Sequence, residues 1–289
     1  MASVLAVGMA TLDVIDTVAR YPAEDAEVRA QGRRVARGGN AANTLEVLAR
    51  LGHRAEWLGT LADDPDAERI VAGLEGAGIG ARHAPRIAGG CSPVSHITLS
   101  RETGSRTIVH HRDLPELTAA DFAHVPLDGL DWLHLEGRNI AEVCAMLRDA
   151  RARAPQLPIS VELEKPRDGA EDLAAAADVV LCGQAFAGAR GFDDPERYLA
   201  VGAPGSGSVF CAWGEAGAWL RDPGGAVEHE PAHPPERVVD TVGAGDAFNA
   251  GVIHALVQGL PPRVALSRAT RLAGAKCGRD GFAGLEALA

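Results

Sequence analysis

Aromatic residues make up only 4% of this 289-residue chain, so its core must be built mainly from Ala, Val and Leu. Basic residues are also short, with 28 Lys and Arg against 39 Asp and Glu and a net charge of −11. That deficit excludes a nucleic-acid or anionic-membrane partner, because both are gripped by clustered Lys and Arg. No apolar run approaches the ~20 residues of a membrane span. Residues 1–8 are too short and uncharged for a signal peptide and read as a first strand. The five cysteines, Cys91, Cys144, Cys182, Cys211 and Cys277, show no CxxC or Cys/His metal spacing. They are expected to be reduced, buried thiols of a cytoplasmic protein.

Glycine and apolar residues are plentiful: 34 glycines and 46% hydrophobic content suit a compact α/β body cut by tight turns. Strands are expected over 4–8, 56–61, 82–86, 130–135, 159–163 and 179–182, and helices over 64–77, 140–152 and 169–176. Strands separated by helices imply parallel crossovers and a doubly wound sheet. A β-pair is expected over 209–213 and 218–221, and a last helix over 261–277. Extended pieces at 14–21 and 33–37, with a hairpin over 92–110, form a small separate sheet.

The chain is organised around DTVGAGDAFNAG, residues 240–251. Apolar residues recur at helical spacing after it, so a helix starts near Ala244, and 237–240 reads as a strand end. Bare N–H groups of a glycine-rich helix start make an anion seat, and Asp246 lies in the first turn beside it. That pairing suits phosphoryl transfer, in which amides hold the phosphate and a carboxylate takes a proton. The plain alternative is an Asp that caps its helix. A second stretch, GGNAAN at 38–43, lets backbone approach a ligand through Gly38 and Gly39. Asn40 and Asn43, one turn apart, can converge on a polyol, or Asn40 can serve as an N-cap. Asp13, after the first strand, can hold two hydroxyls at the ligand crevice.

GGNAAN and DTVGAGDAFNAG resemble the two signature stretches of the ribokinase-like (PfkB) carbohydrate kinases, and the likeness runs over about 4–284. HLEGRN from His134, VELEKPR from Val161 and PPERVVDT from Pro234 are similar to the ketohexokinase branch of that family. The resemblance implies a three-layer α/β/α doubly wound sheet, in one domain spanning 1–289. A discontinuous β lid would cover roughly 14–37 and 92–111. It implies ATP-dependent phosphorylation of a sugar hydroxyl, above all a ketohexose such as fructose at C1. Another ketose, ribose or a nucleoside is the alternative acceptor, and a non-catalytic sugar sensor is the alternative role.

By the same resemblance Asp246 is the base, and Gly243, Ala244 and Gly245 form the anion hole. Asp13, Gly39, Asn40 and Asn43 bind sugar, joined by Asp25 from the partner of a homodimer clasped through the lid. Arg106 addresses the nucleotide phosphates, and Ala212, Gly217, Pro234, Cys277 and Gly281 line the adenine pocket. Mg²⁺ is implied, with Glu162 and Glu164 as candidates, one facing the crevice and the other pairing with Lys165 or Arg167. Glu136 and Asn139 are further candidates, and the Asp240 loop is a candidate seat for K⁺. The Asn-x-x-Glu element of many relatives is replaced here by residues 182–186, and His233 stands where an aromatic wall is expected.

Overall fold

The computed structural model describes residues 1–288. Its strands are β1 (Ser3–Val7), β2 (Thr11–Val18), β3 (Gly32–Gly38), β4 (Arg54–Leu58), β5 (Leu61–Ala62), β6 (Ile79–Gly80), β7 (Arg86–Ile87) and β8 (Cys91–Ser100). They continue as β9 (Arg106–Asp113), β10 (Trp132–Glu136), β11 (Ile159–Leu163), β12 (Val179–Gly183), β13 (Ser208–Ala212), β14 (Ala218–Arg221) and β15 (Val227–Glu230). The helices are α1 (Asn40–Arg50), α2 (Pro65–Gly76), α3 (Ala119–Phe122), α4 (Ile140–Arg153), α5 (Ala170–Ala176), α6 (Gln184–Ala189), α7 (Pro195–Arg197), α8 (Ala244–Val257) and α9 (Pro262–Cys277).

Nine strands form the main sheet in the order β15-β14-β13-β12-β11-β10-β1-β4-β6. From β13 to β6 every neighbouring pair is parallel, while β14 and β15 run antiparallel at one edge. Alternation along β1 shows why helices cover both faces. Val4 and Ala6 pack with α1, α2, α8 and α9, and Leu5 and Val7 pack with α3, α4, α5 and α6. The result is the expected three-layer α/β/α arrangement. Because the chain builds outward from β1 in both directions, the carboxyl ends of β1 and β10 flank the switch point where such sheets bind ligands.

A second, four-stranded sheet has the order β3-β2-β8-β9, with β2 and β8 parallel and the outer pairs antiparallel. It is the small sheet expected from sequence, with β2 and β3 covering 11–18 and 32–38 rather than 14–21 and 33–37. Its β8–β9 hairpin, expected over 92–110, turns at Glu102-Thr103-Gly104.

Other expectations shift. The strand expected at 82–86 is replaced by β6 and the short β7, with a turn closed by Ala84 N–H on Ala81 O between them. Residues 237–240 form no strand, because the amides of Val239 and Asp240 both donate to Cys277 O at the end of α9. The charged strand β15 carries no apolar alternation and was not legible, yet it pairs fully with β14. All five cysteines are free, but only Cys182 and Cys211 are buried, and Cys91 is exposed. Among the described residues no helix is long and apolar enough to cross a membrane.

The helix that carries the central motif is buried on every side: residues 246–255 are all buried. Small residues make this possible. A Cβ placed on Gly251 would lie 2.7 Å from Ala269 Cα, so α8 and α9 touch backbone to backbone there. Gly251→Ala therefore sets a helix-propensity gain of about 1 kcal/mol against an overpacking cost of about 1–3 kcal/mol. The clash is with backbone and cannot relax by a rotamer change, so net destabilisation is expected in urea denaturation.

Candidate active site

The start of α8 is set by Gly243, whose φ of 82° is left-handed and whose Cβ position would lie 2.5 Å from the Phe282 ring. Glycine is thus required twice at this point, for backbone and for space. No side chain caps the helix, so the alternative reading of Asp246 as a cap does not hold. The Ala244 amide donates to Thr241 O at 3.2 Å, while the amides of Gly243 and Gly245 have no backbone acceptor. Those bare N–H groups are the anion seat expected of a helix start.

Asp246 is buried in the first turn, and its Oδ2 accepts a 2.8 Å hydrogen bond from Asn43 Nδ2. The Asn43 amide is oriented from behind, since Arg37 Nη1 donates to Asn43 Oδ1 at 2.8 Å. Arg37 is itself held by Glu46 at 2.5 Å, and Glu46 also takes Arg50. Burial raises the Asp246 carboxyl to about 7, against the lowering effect of the Asn43 bond, with Glu136 and Glu164 adding to the rise.

A second buried carboxyl, Glu162 at the end of β11, lies beside it. Asn40 Nδ2 and Asn249 Nδ2 both donate to Glu162 Oε1, at 3.2 and 3.0 Å. Glu162 Oε2 is buried without a partner. Desolvation, followed by the charges of Asp246 and Glu136, pushes Glu162 well above the ordinary range. Asn40 is not an N-cap: that position belongs to Gly39, and Asn40 is the first helical residue. Glu136 ends β10, accepting from Met9 N–H at 3.0 Å and from Arg138 at 3.3 Å, and burial raises it too. With Asn139 it lines a cavity at the switch point, together with Gly8, Met9 and Arg138.

Asp13 lies on β2 opposite Ala36, in the second sheet rather than at the end of β1. A Cβ on Gly38 would lie 2.2 Å from Asp13 Oδ2, and one on Gly39 2.1 Å from Met9 O, so both glycines give way to neighbours. Burial raises the Asp13 carboxyl as well.

Other expected residues lie elsewhere. Asp25 is exposed, with a positive φ of 65°, between β2 and β3. Arg106, at the start of β9, is exposed and has no ion pair among the described residues. Glu164 falls just past β11 and is exposed; among the described residues it pairs with neither Lys165 nor Arg167. Glu162 is therefore the crevice-facing member of that pair.

The expected adenine set follows one track. Ala212 ends β13, Gly217 packs on Glu230 O, Gly274 packs on His233 O and Gly278 packs on Pro235. The segment through Pro234 thus runs along the last turns of α9 past Cys277, and Gly281 follows with a positive φ. His233 is pinned at 2.8 Å to Glu230. Residues 182–186 close β12 and open α6 at its N-cap Gly183. Sequence reading missed Arg37 and Asn249 as site residues, although Asn249 sits inside DTVGAGDAFNAG and Arg37 immediately precedes GGNAAN.

The arrangement offers a proton acceptor tuned to neutrality beside bare amide donors, which is the equipment for moving a charged group onto a hydroxyl. In the free protein a carbon-13 titration of Asp246 should show a midpoint near the 7 set by burial. In Asn43→Ala that midpoint should rise by about one to two pH units, since a hydrogen bond to a charged group is worth about 1.5–3 kcal/mol and a unit is about 1.4. An unmoved midpoint would mean that the Asn43 contact does not stabilise the carboxylate.

Residues 1–286 match the model of the pfkB family of carbohydrate kinases. The chain is 38% identical to ketohexokinase of Mus musculus, over 98% of each protein. It is 27% identical to an ATP-dependent ribose-1-phosphate kinase of Halopiger xanaduensis, covering 97% of this chain and 94% of that one. The crystal structure of adenosine kinase from Sinorhizobium meliloti superposes with a TM-score of 0.81 at 22% identity, over 99% of this chain and 98% of that one. That last likeness bears on the fold alone. With the signature motifs at the carboxyl ends of the sheet and a match across the whole chain, this protein belongs to the pfkB family and is an ATP-dependent sugar kinase.

Proposed function

We propose that the acceptor is a ketohexose such as fructose, phosphorylated at its C1 hydroxyl, with Asp246 as the base. The observation that carries this reading is the 38% identity to a ketohexokinase along nearly the full length, together with a buried carboxylate poised near neutrality. Asp246 takes the hydroxyl proton while Asn43 holds its carboxylate in line. The bare amides of Gly243 and Gly245 hold the phosphoryl group as its charge spreads. Asp13, Gly39 and Asn43 grip the sugar, Asn40 steadies Glu162, and Arg106 swings to the nucleotide phosphates. Ala212, Gly217, Pro234, Cys277 and Gly281 form the adenine wall, with His233 stacking in place of an aromatic ring.

Mg²⁺ fits this site at Glu162, whose Oε2 is a buried carboxylate oxygen without a partner. Among the described residues no three His, Cys, Asp or Glu side chains are placed to hold one metal ion, so phosphate and water oxygens would complete its shell. Bound with ATP, it neutralises phosphate charge. The second sheet acts as a lid and as a dimer clasp. Val35, Ile108 and Val109 on its edge strands are about half exposed or more, and a second copy would cover them and deliver Asp25. Free thiols suit a cytoplasmic setting.

ATP consumption across ketoses, aldoses and nucleosides, with the phosphorylated carbon assigned by NMR, tests the acceptor. Fructose turnover yielding the C1 phosphate is expected; a C6 product or turnover of a nucleoside alone overturns the assignment. Asp246→Asn should lower kcat by about 10²–10⁴-fold with sugar binding retained. The base must be ionised, so kcat/KM should fall about tenfold per pH unit below the Asp246 midpoint of about 7. Near-native turnover in the Asn variant would remove Asp246 from the mechanism. Light scattering at micromolar concentration should report a dimer.

A further inference from the structure

Only two of the 28 basic residues are lysines, Lys165 and Lys276, and the second has a fully buried side chain in the last turn of α9. Lys276 Nζ donates to Asp240 main-chain O at 2.8 Å, to Asp240 Oδ2 at 2.9 Å and to Arg279 O at 3.4 Å. The Phe282 ring lies 5.9 Å from the same nitrogen. A carboxylate and two carbonyls converging on one point form a seat for a compact cation. Lysine suits it as a point charge with rotatable donors, where the planar fork of arginine would not.

This cluster occupies the Asp240 loop, the place where the family resemblance suggests K⁺. The residues present do not fit that ion, because an ammonium already takes up the oxygens. We propose that Lys276 is a positioning residue whose ammonium is the resident cation of the Asp240 loop, so that K⁺ does not activate the enzyme there. Asp240 is gripped by Lys276 on one oxygen, while its Oδ1 accepts the Val242 amide at 2.9 Å, one residue before Gly243. The Phe282 ring packs both toward Lys276 and against Gly243. Through Asp240 and Phe282 the ammonium fixes where the first amides of α8 stand. Arg34 of β3 adds a weaker charge from the second sheet, 3.8 Å from Asp240 Oδ2 and 2.8 Å from Asp280. It is largely solvated and cannot replace a buried ammonium.

The inference rests on reading those amides as the phosphoryl seat, and its test combines kinetics with a measurement independent of turnover. In the unaltered enzyme, exchanging choline for Na⁺ or K⁺ should change kcat by less than about twofold, since no vacant cation seat remains to fill. Lys276→Ala in choline should lose about 10²-fold in kcat with a smaller change in KM, as for a lost anion-hole donor. K⁺ or ammonium should restore about tenfold or more of that loss in Lys276→Ala but not in Lys276→Met, whose apolar chain fills the space. K⁺ should also raise the melting temperature of Lys276→Ala and leave that of the unaltered protein unchanged, because only a vacated seat binds the ion.

Activation of the unaltered enzyme by K⁺ beyond about fivefold overturns the proposal, as does a Lys276→Ala variant indifferent to cations in both readouts. If Lys276→Ala does not fold, the cation profile of the unaltered enzyme decides. A K⁺-dependent melting shift in Lys276→Ala, with no turnover of any acceptor by the unaltered protein, would sink the phosphoryl-seat reading and leave the resident cation standing.

Discussion

Three carboxyl groups, Asp246, Glu162 and Glu136, are buried together where the parallel strands end, and the arrangement around them answers their mutual repulsion. Their first partners are mostly neutral amides: Asn43 on Asp246, Asn40 and Asn249 on Glu162, and the Met9 backbone on Glu136. The choice has a chemical reason. A guanidinium placed directly on Asp246 would hold its carboxyl low and make it a poor proton acceptor. Arg37 instead acts one bond removed, fixing the Asn43 amide while spending most of its charge on Glu46. The carboxylate is oriented by an arginine without being neutralised by one.

The same logic explains the division between the two sheets. The proposed phosphoryl side is built on α8, a helix of small residues buried on all sides and pressed against α9. Asp13, on the proposed acceptor side, comes from the second sheet, which enters directly after β1 and leaves through Gly38 and Gly39 into α1. Asn43 lies on the seam, one turn into α1 and in contact with Asp246 of α8. A fold of this kind serves different acceptors, as its ketohexokinase and ribose-1-phosphate kinase relatives illustrate.

Much of this was legible in the sequence because it rests on local rules. Alternating strand and helix patterns gave the layered sheet, and glycine-bracketed motifs gave both halves of the candidate site. The misses have physical causes. Strand β15 has no apolar alternation, and only its ladder to β14 makes it a strand. Residues 237–240 look extended, but Val239 and Asp240 donate their amides to Cys277, a partner that spacing along the chain does not reveal. Asn40 reads equally as a cap or a ligand until Gly39 takes the cap and Glu162 takes its amide. Asn249 and Arg37 carry no signal of their own, since the partner of one lies far along the chain and that of the other lies across the junction from β3 to α1.

Burying ionisable groups at the site also fixes how the protein trades endurance for chemistry. A carboxyl raised from about 3.8 to about 7 binds its proton more tightly in the folded than in the unfolded chain. The folded state therefore loses ground as pH climbs from about 4 to about 7, the range in which Asp246 becomes a usable base. Neutral amides at Asp246 or Glu162 would relieve that penalty. A library of this gene screened only for survival of heating at neutral pH would accordingly enrich chains that have discarded the carboxylates proposed to carry the chemistry, and any engineering for hardiness must select on turnover at the same time.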